Sequence, residues 1–173
     1  LALRRKLDDR VGVSMTLNNI GVVAWTRGDV PRAEGAWRES LDISREIGSR
    51  PVTAMLLSNL AESCLQDGRY DEAEVLLVEA QAITTETGDR RTLCSILMNV
   101  AALEMARGRS TSALETAGRA VTEAESLGGR RLLGLALVAL GDIETGVART
   151  DQTGAAADAA VEAWCRAIDL ATE

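Results

Sequence analysis

Residues 60–80 read LAESCLQDGRYDEAEVLLVEA, and this stretch decides the fold. Leu60 and Ala61 open the close-packed face of one helix, and Gly68 ends it. Asp71 and Glu74 form an Asp-x-x-Glu start signal for a second helix, whose Ala73, Leu77 and Ala80 share one side. The stretch predicts a helical hairpin.

The hairpin recurs when the sequence is slid by 40 residues. Gly28, Gly68 and Gly108 fall in register, as do Ala33, Ala73 and Ala113, then Leu17, Leu57, Leu97 and Leu137, and also Asn19, Asn59 and Asn99. Connecting turns repeat too, with Gly48, Gly88 and Gly128 each two residues ahead of Arg50, Arg90 and Arg130. An alanine-rich chain does not produce such columns by chance; a fixed period of this length marks stacked helical hairpins.

The same residues carry a resemblance. Ile20, Gly21, Gly28, Ala33, Trp37 and Leu41 resemble the Leu-Gly, Gly, Ala, bulky-apolar, Ala/Leu skeleton of the tetratricopeptide repeat (TPR), whose basic unit is about 34 residues. The 40-residue spacing and the turns EIGSRP and ETGDRR are similar to the longer variety found in Pins-type adaptors, kinesin light chains and bacterial TPR-containing regulators. The resemblance implies an all-α, right-handed α-solenoid of about four hairpins plus a partial N-terminal helix. Residues 1–9 are then the partial second helix of a preceding repeat, followed by repeats at 10–49, 50–89, 90–129 and 130–173. Both ends fall inside a repeat, as expected of a fragment of a longer protein.

The expected helices are 11–27, 30–47, 51–66, 71–86 and 91–107, then one reaching about 126, with Asp29 and Ser110 as N-caps and Pro31 in a first turn. Repeat four departs from the pattern. Leu140 and Gly141 start it in register, but Ala160, Trp164 and Ala167 match Ala33, Trp37 and Ser40 only after seven extra residues, which fall at 148–155, ARTDQTGA. The insertion reads either as a longer first helix or as a polar loop over 150–154.

Composition excludes several function classes. The chain of 173 residues is 46% hydrophobic, with three Trp, one Tyr and no Phe, so its core is built of alanine and leucine. No run reaches the ~18 apolar residues of a membrane span, and no signal peptide opens the chain, so a cytoplasmic location is expected. Cys64, Cys94 and Cys165 have no metal or CxxC spacing and read as small core residues of a reduced protein. A net charge of −7 argues against nucleic acid as partner. Only one of 19 basic residues is a lysine, a bias that suggests a GC-rich bacterial genome. With no histidine the chain cannot build a Ser-His-Asp or Cys-His nucleophile or a His-ligated metal site, so neither an enzyme nor a cofactor is expected.

A helical wheel separates two faces on the first helix of each repeat. Leu17, Ile20, Gly21 and Ala24 face the packing side; Met15, Asn18, Asn19, Val22 and Trp25 fall opposite, where the resemblance implies a concave groove. The equivalent groove positions are Met55, Ser58, Asn59, Glu62 and Leu65, then Met98, Asn99, Ala102 and Met105, then Leu135 and Val138. All four methionines map to this face, and polarisable, flexible methionines suit an adaptable apolar surface. The asparagine column reads in two ways: amides pairing with the backbone of a bound peptide, as the resemblance implies, or amides bonding a neighbouring helix. Arg50, Arg90, Arg91, Arg130 and Arg131 are expected to bridge adjacent turns, to Asp89 or to acids such as Glu46, Glu86 and Glu125. The function expected is recognition of a protein or peptide segment, helical or extended, within a larger bacterial regulatory or signalling protein. The alternative is a self-associating homo-oligomeric scaffold.

Overall fold

The computed structural model describes residues 1–151 and 154–172. Regular structure among them is α-helical, in the order α1 (Ala2–Lys6), α2 (Arg10–Thr26), α3 (Val30–Glu46), α4 (Arg50–Gln66), α5 (Tyr70–Thr87), α6 (Arg90–Ala106), α7 (Ser110–Leu127), α8 (Arg130–Asp151) and α9 (Gly154–Thr172). The helices form two compact units, Leu1–Asp89 with α1 to α5 and Arg90–Glu173 with α6 to α9. In the first unit α2 pairs with α3 and α4 with α5, and α3 joins the two hairpins by packing on α4. In the second, α6 pairs with α7 and α8 with α9, while α8 packs on both α6 and α7. This is the all-α helical-repeat class expected from the 40-residue period.

Local chemistry explains the boundaries. Gly28, Gly68 and Gly108 adopt φ of +75°, +73° and +74°, a region that costs any side-chain-bearing residue free energy, and each turns the first helix of a hairpin into the second. Asp29 caps α3 by accepting a hydrogen bond from the Arg32 amide at 3.3 Å. Two expected start signals differ from the structure. α5 begins at Tyr70 with Arg69 at its N-cap, so Asp71 lies inside the first turn and acts on the helix dipole; α7 begins at Ser110 itself, after Arg109. In these three hairpins the left-handed glycine sets the exit of the turn at the same distance, and this geometry overrides the side-chain preference.

Small residues let the paired helices touch. Ser14 and Ser40 hydroxyls lie 2.9 Å apart across the α2–α3 crossing, and Ser40 Oγ donates to the Ser14 carbonyl at 2.8 Å. Forty residues on, Ala54 and Ala80 are fully buried, and forty further Cys94 Sγ donates to the Ala120 carbonyl at 3.3 Å. Bulkier contacts fill the space beside these crossings. Trp37 is buried against Gly21, where an added Cβ would lie 2.3 Å from the indole Nε1, and Gly141 stands in the same relation to Trp164 at 2.5 Å.

The Gly141–Trp164 contact shows where the seven extra residues go. α8 has 22 residues against 17 in α2, α4 and α6, and α9 opens at Gly154, ten residues ahead of Trp164, where α3 opens seven ahead of Trp37. Among the described residues the extra chain carries α8 on to Asp151 and starts α9 at Gly154, so both helices of this hairpin are longer than their counterparts α2 and α3. Within 148–155, Gln152 and Thr153 lie outside the described residues.

Candidate functional site

Two neighbouring helices of the first unit build the candidate surface. Met15, Asn18 and Asn19 of α2 and Val52 and Met55 of α4 line a groove of about 260 Å³, with Ile47 and Ser49 at one end. Met15 is 54% exposed, Val22 is exposed on the same helix, and Met55 is half-buried. Asn59 Nδ2 donates to Asn18 Oδ1 at 3.2 Å, tying the two helices together. Asn59 therefore follows the second reading of the asparagine column, a bond to a neighbouring helix. Asn19 is exposed at the groove, and Asn99 is half-buried and already has an interaction.

Other expected positions divide between wall and core. Trp25 is half-buried and its ring tilts 51° against Trp37, centroids 5.8 Å apart, so it supports the core as much as it lines a surface. Ser58 is 5% exposed and engaged within the structure, which removes it from the accessible face. Leu65 is half-buried. Glu62 is exposed by area, yet the protein around it removes part of its hydration and pushes its carboxyl above the usual range.

In the second unit two methionines serve the core. Met98 packs against the cluster containing Cys94, Leu97 and Leu137, and Met105 against Ala101, Ile143 and Val147. α8 lies directly against α6, so the shared side of these helices is covered. Ala102, Leu135 and Val138 remain exposed, Leu135 at 51%.

The turn arginines reach acids of the kind expected, Arg50 meeting Glu86, but by a different route. Arg10 pairs with Glu46, Arg50 with Glu86, and Arg90 with Glu123 at 2.7 Å and Ser126 Oγ at 2.9 Å; Arg130 donates to the Leu170 carbonyl at 2.7 Å. Each closes its own hairpin instead of bridging adjacent turns, because the start of the first helix lies beside the end of the second. There the arginine also meets the negative pole of the helix dipole. A second set links consecutive outer helices: Arg5 to Glu39, Arg38 to Glu72 at 2.7 Å and Arg45 to Glu79 at 2.8 Å. Their spacing of 34 residues was a readable signal that a search for 40-residue columns passes over.

One cluster is less exposed. Ser63 Oγ donates to Glu34 at 2.7 Å, Arg69 pairs with both Glu34 and Glu72, and Arg38 with the same two acids. Burial pushes the Glu34 carboxyl up, but Ser63 and Arg69 more than reverse this and hold it below the usual range; Arg38 does most to lower Glu72. Cys64 and Cys94 are buried, and burial pushes the Cys64 thiol up to about 11. Cys165 is exposed on α9, contrary to its expected place in the core, because α9 turns that side away from α8.

No helix among the described residues is long and apolar enough to cross a membrane, and no group of acids and cysteines there could hold a metal ion. Comparison with curated proteins finds no significant sequence match. Among solved structures, the crystal structure of BtubC (BKLC) from P. vanneervenii is similar, with a TM-score of 0.68 and 17% identity over 92% of this chain. The chain spans 63% of the length of that protein, and the likeness shows the fold alone. A tetratricopeptide-repeat family model matches residues 1–86, which cover the partial helix and the first two hairpins. Residues 1–86 are thus tetratricopeptide repeats, and the second unit continues the same hairpin by period and by fold.

Proposed function

We propose that the chain is a protein-interaction module that binds a peptide segment of its partner along the α2–α4 groove of the first unit. TPR repeats generally mediate protein–protein interaction, and the observation that supports this site is the open, largely uncharged surface of Met15, Val22, Val52 and Met55 with the Asn19 amide beside it. Apolar side chains of the partner pack on the methionines, and Asn19 bonds its main chain. Burying two or three such side chains at ~1.5 to 3 kcal/mol each, less the cost of ordering, corresponds to micromolar affinity. Taken by itself, the second unit exposes Ala102, Leu135 and Val138, the contact residues proposed for that unit. The composition, rich in arginine and poor in lysine, fits a larger bacterial regulatory or signalling protein as its setting, in the cytoplasm. Met15→Glu tests the site. Peptide binding measured by calorimetry falls at least tenfold while the melting temperature stays within about 2 °C, since exposed substitutions rarely exceed ±0.5 kcal/mol. An unchanged affinity removes the groove from the interaction.

A further inference from the structure

We propose that Glu62 makes the first unit's groove selective for a segment carrying one lysine or arginine among apolar side chains. The inference rests on the peptide-binding reading above and adds the chemistry of the partner to it. Between Arg10 and Arg27 the chain bears no charged residue, and between Arg50 and Asp67 it bears only Glu62. Met55, Asn59 and Glu62 stand at i, i+4 and i+7 and share one face of α4. The Asn59–Asn18 bond ties that face to α2 beside Met15 and Asn19.

Glu62 differs from the other glutamates of its unit. Glu34, Glu39, Glu46, Glu72, Glu79 and Glu86 each pair with an arginine, and Glu74 has an interaction of its own. Among the described residues Glu62 is exposed and has neither a hydrogen bond nor an ion pair. Its carboxyl is raised by partial loss of hydration with nothing in the chain to offset that cost. A cationic donor from outside supplies the missing partner through a charge-assisted hydrogen bond, about twice as strong as a neutral one. The methylene stem of lysine or arginine also covers apolar surface on the way to the carboxylate. A carboxylate-bearing segment meets a like charge and no cation along these two faces, so it is rejected.

The test is selection of a random-peptide phage library on the 173-residue chain and on its Glu62→Gln variant, followed by titration of synthetic winners. Wild-type selection is expected to enrich Lys or Arg at one fixed position in an apolar background. Replacing that residue by norleucine is expected to weaken binding to wild type by about tenfold, the scale of one charge-assisted bond, and to leave binding to the variant nearly unchanged. Enriched peptides without a cation, or an equal norleucine loss against both proteins, overturn the role of Glu62 while leaving the groove intact. Peptides whose binding ignores Met15→Glu, or no enrichment at all together with concentration-dependent dimerisation, overturn the peptide-binding reading itself, and the proposal with it.

Discussion

Asn59 and Asn18, on adjacent first helices, share a 3.2 Å hydrogen bond that turns two exposed-face amides into a strut between repeats. An amide used in this way is half committed: Asn59 keeps its oxygen and Asn18 its nitrogen for other partners. Asn59→Ala is therefore expected to lower stability by about 0.5 to 1.5 kcal/mol in urea unfolding. Combined with Asn18→Ala, the loss should be less than additive. Full additivity would show that the bond does not form in solution.

The Gly21–Trp37 contact leaves no room for a methyl group. Gly21→Ala puts a Cβ 2.3 Å from the indole, and because Trp37 is buried it cannot swing away freely. Thermal unfolding should register about 1 to 3 kcal/mol of destabilisation. Trp25→Ala should destabilise as well, through the lost ring contact, and is for that reason a poorer probe of binding than Met15→Glu.

Glu34 and Glu72 make the first unit sensitive to acid. Both carboxyls are held below their usual range in the folded chain, so their contribution to stability is complete above the unfolded pKa and is lost as pH falls through the lowered folded values. Glu34→Gln should cost about 1 to 2 kcal/mol at neutral pH, and the gap to wild type should close below about pH 4. Denaturant melts at a series of pH values measure this. A gap that widens on acidification would reverse the assignment. Glu62 has the opposite sign: its raised carboxyl opposes folding once charged, so Glu62→Gln should be neutral to stabilising at pH 7.

Thiol labelling separates the cysteines. Cys165 is exposed, while Cys64 and Cys94 are buried and both thiols are pushed up. Brief alkylation of the native protein followed by peptide mass spectrometry should mark Cys165 alone, and denaturation should expose the other two. Equal labelling of Cys64 in the native state would contradict the packing of α4.

Most of the fold was legible in the sequence, because a period of 40 residues is written in glycines, alanines and leucines whose roles are purely steric. The column 14, 54, 94 was legible in the same way: Ser14, Ala54 and Cys94 look unrelated chemically and are alike only in being small enough for the crossing. The surface was harder to read. A wheel tells which side of α6 holds Met98 and Met105, but the closeness of α8 decides how much of them stays uncovered. Glu86 was among the acids expected near Arg50, but that the pair closes a single hairpin, and that Asn59 meets Asn18 of the preceding hairpin, depends on which helix lies nearest in space.

The longer hairpin α8–α9 shows how such an array tolerates variation. Trp164 still seats on Gly141, and Arg130 still reaches the Leu170 carbonyl, although the chain between the two aromatic–glycine partners is seven residues longer than in the first repeat. The added residues lengthen the hairpin, and Ala156 in the first turn of α9 joins the cluster of Ala101, Ala113 and Ala117 on α6 and α7. An array of this kind can therefore absorb added length within one repeat while the glycine–tryptophan seat at its helix crossing is kept.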